Sequence, residues 1–167
     1  MRRATAIGAA IGGALLFVTG GIRLGAGAPE LTRLSIVGAA LGTVVVFDLA
    51  ERRIPNRITL PAAVVCALFL AAEGVRPGEL LGGLAMVGLI LGLSLAQPAS
   101  FGMGDVKLAL LLALGLGGLA PQALLLGLVL AAAFGVALVL RYGRSATTRS
   151  LPLAPFIGGA AIAVMFL

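Results

Sequence analysis

The chain has 167 residues, of which 60% are hydrophobic and 11% charged. That is less than half the charge of an ordinary soluble domain. A soluble chain of this length has no interior large enough to hide so much apolar surface, so the class is a polytopic membrane protein with lipid covering part of it. The net charge of +6 does not point to nucleic acid, because the basic residues fall in short clusters between apolar runs, as orientation signals do.

Residues 1–3 are a basic start and residues 4–22 an apolar run. A signal peptide opens the same way, but the later runs are equally hydrophobic, so a first spanning helix is the simpler reading. The second run, 34–47 continuing to 50, spans about 25 Å as a helix. Asp48 lies in its last turn. The most polar stretch follows, Glu51-Arg52-Arg53-Ile54-Pro55-Asn56-Arg57. Pro55 stops the helix. Asn56 or Thr59 is expected to cap a third helix, with Pro61 in its first turn.

The third run, 58–72, ends in a turn-rich connection over 73–79, and the fourth covers 80–96. Residues 97–104 read as a non-helical loop from their Pro, Ser and Gly content. No charge occurs from 108 to 140, a length of about 50 Å as one helix and too long for one bilayer. Gly117-Gly118-Leu119-Ala120-Pro121 is expected to divide it into a short fifth helix from Asp105 and a sixth from Pro121. Residues 141–150 are a basic loop, and the seventh run, 151–167, has Pro152 and Pro155 at its start. The expected fold is all-α, a transmembrane bundle of about seven helices. Gly8/Gly12, Gly38/Gly42 and Gly88/Gly92 are small-xxx-small pairs suited to close helix packing. Cys66, in an apolar run, is the one cysteine, and there is no histidine. An internal disulfide, a CxxC zinc site and a His/Cys metal centre are excluded, and Cys66 reads as a packing residue.

With the N-terminus inside, the inner segments hold Arg2, Arg3, Arg52, Arg53, Arg57, Lys107, Arg141, Arg144 and Arg149. The outer ones hold Arg23, Arg33 and Arg76, which accounts for all 12 basic residues. This inside excess fixes the orientation. It also puts Asp48, ending the second helix, and Asp105, starting the fifth, at similar depth on one face. Taken singly, Asp48 reads as an end charge paired with Arg52 or Arg53, and Asp105 as a charge favoured by its helix dipole. Together, beside a glycine-flanked loop, they read as a functional pair. Peptide hydrolysis by carboxylates needs two close together that share a proton, one activating water and the other polarising the scissile carbonyl. Without histidine, no Ser-His-Asp triad or Cys/His dyad can form. Gly102 and Gly104 are expected to allow unusual backbone angles at Asp105 and close approach of a substrate strand.

The run from Phe47-Asp48 through Ile54-Pro55-Asn56 to Thr59-Leu60-Pro61 resembles the first motif of prepilin peptidases (type IV leader peptidases): an aspartate, a Pro seven residues on, Asn or Asp, then a Leu-Thr-Leu-Pro-like helix start. Gly102-Met103-Gly104-Asp105-Val106-Lys107-Leu108 resembles their second motif, GxGD followed by Lys and Leu. Leu151-Pro152-Leu153-Ala154-Pro155-Phe156 is similar to their C-terminal Pro-x-x-Pro-Phe segment.

The resemblance implies an aspartic endopeptidase of the GxGD type, with Asp48 and Asp105 as catalytic pair and no cofactor. Such an enzyme cuts the basic leader from a prepilin after a Gly at the cytoplasmic membrane face of a bacterium or archaeon, and the released pilin joins a pilus or secretion filament. Residues 34–167 would be the six-helix core and 1–33 an added helix and loop. Larger family members methylate the new N-terminus and carry paired CxxC motifs. These are missing here, so neither zinc nor methyltransferase activity is expected, and the short form is similar to the peptidases of Flp/tight-adherence pili and archaeal preflagellin peptidases. Ala50 stands where the family often has an acidic residue. Lys107 would contact substrate, tune Asp105 or anchor the inner face, while Pro55 and Asn56 would shape the loop beside Asp48. Arg52, Arg53 and Arg57 would set topology. Other classes fit less well. A proton-coupled carrier would hold its charges near mid-membrane, a non-catalytic secretion subunit would use the aspartates as helix-end charges only, and a presenilin-type protease would carry a Tyr-Asp motif.

Overall fold

A computed structural model describes residues 2–74, 76–98, 101–142 and 151–167, with side chains from residue 4 onward. Part of the expected 73–79 turn (Val75), two residues of the 97–104 loop (Ala99 and Ser100), and residues 143–150 of the basic loop, Arg144 and Arg149 among them, lie outside these.

The described chain is all-helical. Its elements are α1 (Arg2–Arg23), α2 (Ala28–Glu51), α3 (Asn56–Glu73), α4 (Pro77–Ala96), α5 (Met103–Leu116), a 3₁₀ turn (Gly117–Leu119), α6 (Ala120–Tyr142) and α7 (Ala154–Phe166). Helices are the form that a spanning chain adopts, because each backbone group must be satisfied without water. Five described runs are long and apolar enough to cross a membrane: Ala4–Arg23, Ala28–Glu51, Asn56–Glu73, Pro77–Ala96 and the continuous Met103–Tyr142. They fit a multi-pass membrane protein. The last run divides where expected: Gly117, at φ 55° and ψ −126°, takes a backbone conformation that side chains rarely adopt.

The middle helix is α5, packed against α2, α3, α4 and α6. Its Leu108, Leu111 and Leu112 are fully buried, as are Val37 and Val44 of α2 and Ile157 of α7. Large apolar side chains such as Leu68, Leu95 and Leu140 stay exposed on the outer surface, where lipid would meet them.

Four expectations are corrected. First, α2 begins at Ala28, so Arg33 is not an outer-loop residue. It is 5% exposed inside the helix, and its guanidinium donates to Glu73 Oε2 at 3.1 Å and to the Leu114 carbonyl at 3.2 Å. These partners on α3 and α5 let a charge sit where the sequence suggests a loop. Second, neither Asn56 nor Thr59 caps α3. Pro55 is the N-cap with no side-chain bond, and the Thr59 hydroxyl donates back to the Pro55 carbonyl at 3.3 Å. Pro61 falls in the second turn. Third, Met103 and Gly104 are already helical. Fourth, of the three glycine pairs only Gly38/Gly42 meets a neighbouring helix closely. A Cβ at Gly42 would overlap the Ala9 carbonyl of α1 and one at Gly38 that of Gly13, whereas Cβ atoms at Gly8, Gly12, Gly88 and Gly92 would meet nothing within 4 Å.

Candidate active site

The cleft of interest lies where α2 ends and α3, α5 and α7 begin. Its volume is about 460 Å³, and Asp48 and Asp105 both line it, together with Arg53, Asn56, Lys107 and the residues leading into α7. The two aspartates of the paired motifs therefore share one space.

Local chain geometry puts each aspartate there. Asp48 is in the last turn of α2 and only 6% exposed. The helix closes just after it, at Arg52, whose N–H donates to the Asp48 carbonyl at 3.0 Å and whose φ of 52° and ψ of 41° are left-handed. Arg52 is the one non-glycine residue with positive φ among the described residues, a conformation that costs about 1–2 kcal/mol. Pro55 then starts α3 in a new direction. The Asp48 carboxylate does not turn to solvent as an end charge would. Its Oδ2 accepts the Ala154 N–H at 3.0 Å, one of the donors that a helix leaves open at its start. Asp48 thus joins the end of α2 to the beginning of α7.

Asp105 is the third residue of α5. Its Oδ2 accepts the Gly102 N–H at 2.9 Å, and its own N–H donates to the Gly102 carbonyl at 3.0 Å. Asp105 therefore also caps the start of its own helix. Each aspartate has one oxygen anchored to a backbone N–H at a helix start, an arrangement that favours negative charge nearby. It also fixes the direction in which the rest of the carboxylate points.

The two glycines act differently from expectation. Gly102 has φ −88° and ψ 157°, which any residue adopts, and neither it nor Gly104 has positive φ. Gly104 matters for space: a Cβ there would stand 3.0 Å from Ile54 Cβ and 3.4 Å from its Cγ1 and Cδ1. Its bare backbone lets the start of α5 press against the loop that follows Asp48. Lys107 reaches neither aspartate through a hydrogen bond. Its ammonium donates to Asn56 Oδ1 at 2.9 Å and ties α5 to the start of α3, while Pro55 orients that start. No group of three or more Cys, Asp or Glu that could hold a metal occurs among the described residues.

Sequence reasoning missed Ile54 and Ala154. Ile54 carried a signal, a lone large apolar residue inside the most polar stretch. Ala154 carried none, because its contribution is a backbone N–H.

A sequence model of the type IV leader peptidase family matches residues 34–140. No curated protein and no solved structure matches the chain.

Proposed function

The chain belongs to the type IV leader peptidase family, a family of proteases with prepilin substrates, and we propose that it is an aspartic endopeptidase in which Asp48 and Asp105 act as one catalytic pair. The observation that carries this reading is that both aspartates, from the ends of different helices, line the same cleft with one oxygen each held by a backbone N–H.

In this reading the pair shares one proton, since two carboxylates that face one cleft do not both ionise readily. The ionised member takes a proton from a water in the cleft as that water adds to the scissile carbonyl carbon. The protonated member donates to the carbonyl oxygen. When the C–N bond breaks, the pair gives its proton to the leaving amine and takes one from a hydroxyl of the tetrahedral diol, which returns it to its shared-proton state. The proton belongs to the pair rather than to either residue. Asn56 with Lys107 and Ile54 with Gly104 hold the start of α5 against α3 and the loop before it, while the Gly102 N–H anchors Asp105 and Pro55 begins α3.

The substrate reading is a prepilin whose basic leader is cut at the cytoplasmic face of the cell membrane, with the N-terminus of the enzyme on the same side. The inside excess of arginine and lysine supports this orientation. Helices α2 to α7 form the peptidase core, and α1 is an addition.

Two tests follow from the mechanism. The pH profile of kcat/KM for prepilin cleavage is expected to fall on both sides of an optimum, because the pair fails when both carboxyls are protonated or both ionised. A rate that stays flat through the range where carboxyl groups titrate contradicts the shared proton. Gly104→Val is expected to lower the rate by about 100-fold, because pushing Ile54 away shifts one aspartate against the other. Gly102→Ala should stay near wild type, since its nearest neighbour would be 3.7 Å away.

A further inference from the structure

Five serine and threonine side chains in the described helices bond back toward the preceding turn, as such residues do in apolar surroundings. Thr19, Thr32, Thr43 and Thr59 each donate to the carbonyl four residues earlier, and Ser35 to the one three residues earlier. Ser94 does not. It lies in the last turn of α4, 5% exposed, and is the one hydroxyl residue of that helix. Its hydroxyl reaches forward to the Phe101 carbonyl at 3.1 Å, with Met103 Sδ at 3.8 Å as a weaker acceptor.

The Phe101 carbonyl and the Gly102 N–H are the two ends of one planar peptide group, and that N–H donates to Asp105 Oδ2 at 2.9 Å. The run of bonds is therefore Ser94 hydroxyl, peptide 101–102, Asp105 carboxylate. A hydrogen bond accepted at the carbonyl polarises the amide and strengthens its N–H as a donor. The 101–102 peptide is thus bonded at both its carbonyl and its N–H, and the preceding peptide is anchored by the Phe101 N–H, which donates to the Gln97 carbonyl at 3.1 Å. A flip of the 101–102 peptide would break both of its bonds, so they keep the direction of the Asp105 carboxylate.

We infer that Ser94 is a positioning residue for the peptidase reaction, acting on Asp105 through the 101–102 peptide group. The inference rests on the assignment of Asp105 to the catalytic pair. It gives α4 a part in the chemistry although that helix contributes no group to the cleft other than Pro98, which follows it.

The test is steady-state prepilin cleavage by the full-length protein carrying Ser94→Ala, Ser94→Thr or Ser94→Val, with Asp105→Asn beside them. Threonine and valine share a shape, so their comparison isolates the hydroxyl. Ser94→Ala and Ser94→Val should lower kcat by about tenfold with KM unchanged, and Ser94→Thr should retain most of the wild-type kcat. In Ser94→Ala at least one limb of the pH–rate profile should move to higher pH, because a weaker N–H bond holds the ionised carboxylate less well. A purely structural serine would change the yield of folded protein and leave the pH profile in place. Ser94→Ala with an unmoved profile and an unchanged kcat overturns the inference, as does valine equalling threonine. If Asp105→Asn also cleaves normally, the catalytic assignment itself fails. If only that variant is inactive, the failure belongs to Ser94 alone.

Discussion

Replacing Asp48 by Ala is expected to abolish prepilin cleavage and to destabilise the protein, whereas replacing it by Asn should abolish cleavage alone. The difference comes from the two tasks of this carboxylate. In the proposed reaction it handles a proton, which neither Ala nor Asn does, so kcat should drop at least about 10³-fold with either. In the fold it accepts the N–H of Ala154, a residue with no exposed surface. Leaving that donor unpaired costs about 2 kcal/mol, and the amide oxygen of Asn can take its place. Asp105 should show the same loss of activity with a smaller stability penalty, because Gly102, whose N–H it accepts, is exposed and water can replace the carboxylate. Denaturant titration in detergent alongside the cleavage assay checks both halves. If Asp48→Ala and Asp48→Asn are equally stable, the contact between α2 and α7 is not supporting the fold.

The largest effect on stability alone is expected at the opposite end of the bundle. Arg33 is buried with Glu73 Oε2 at 3.1 Å, while Glu30 Oε1 is more distant at 3.9 Å. Its Nε is buried without an acceptor, so the guanidinium depends heavily on its Nη contacts. Glu73→Ala removes the nearest counter-charge and leaves a buried cation, which should cost about 3 kcal/mol or more. Replacing both partners with apolar residues, Arg33→Met with Glu73→Met, should recover most of that loss, because the desolvation cost of both charges disappears. Unfolding midpoints of the wild type, single and double variants decide the matter. A double variant no better than Glu73→Ala would mean that the bond to the Leu114 carbonyl, rather than the ion pair, is what stabilises this end.

The helical architecture was legible because membrane sequences separate their elements sharply. Apolar runs gave the helices, and the glycines before Pro121 gave the break between α5 and α6. The asymmetry of basic residues predicts one membrane face for Asp48 and Asp105, and both line one cleft. Three features were not legible, each for a physical reason. Arg33 looks like a loop residue because its partners lie on α3 and α5, far away in sequence. The fixing of Asp48 depends on the backbone N–H of Ala154, and any residue other than proline would supply the same donor. The spacing of Gly8 and Gly12 resembles that of Gly38 and Gly42, and only the rotation of α1 about its axis selects Gly13 as the residue that meets α2. At Gly104 the residue was singled out but the reason was different: contact with Ile54, not an unusual dihedral, requires glycine.

In the proposed reaction one carboxylate pair, Asp48 with Asp105, hydrolyses a prepilin. Its most direct test is intact-mass analysis of a prepilin incubated in lipid vesicles with purified wild type, Asp48→Asn or Asp105→Asn. Wild type should yield two fragments whose masses add up to the substrate plus one water, and neither variant should yield them although both remain folded. Cleavage at the wild-type rate by either folded variant would contradict the claim.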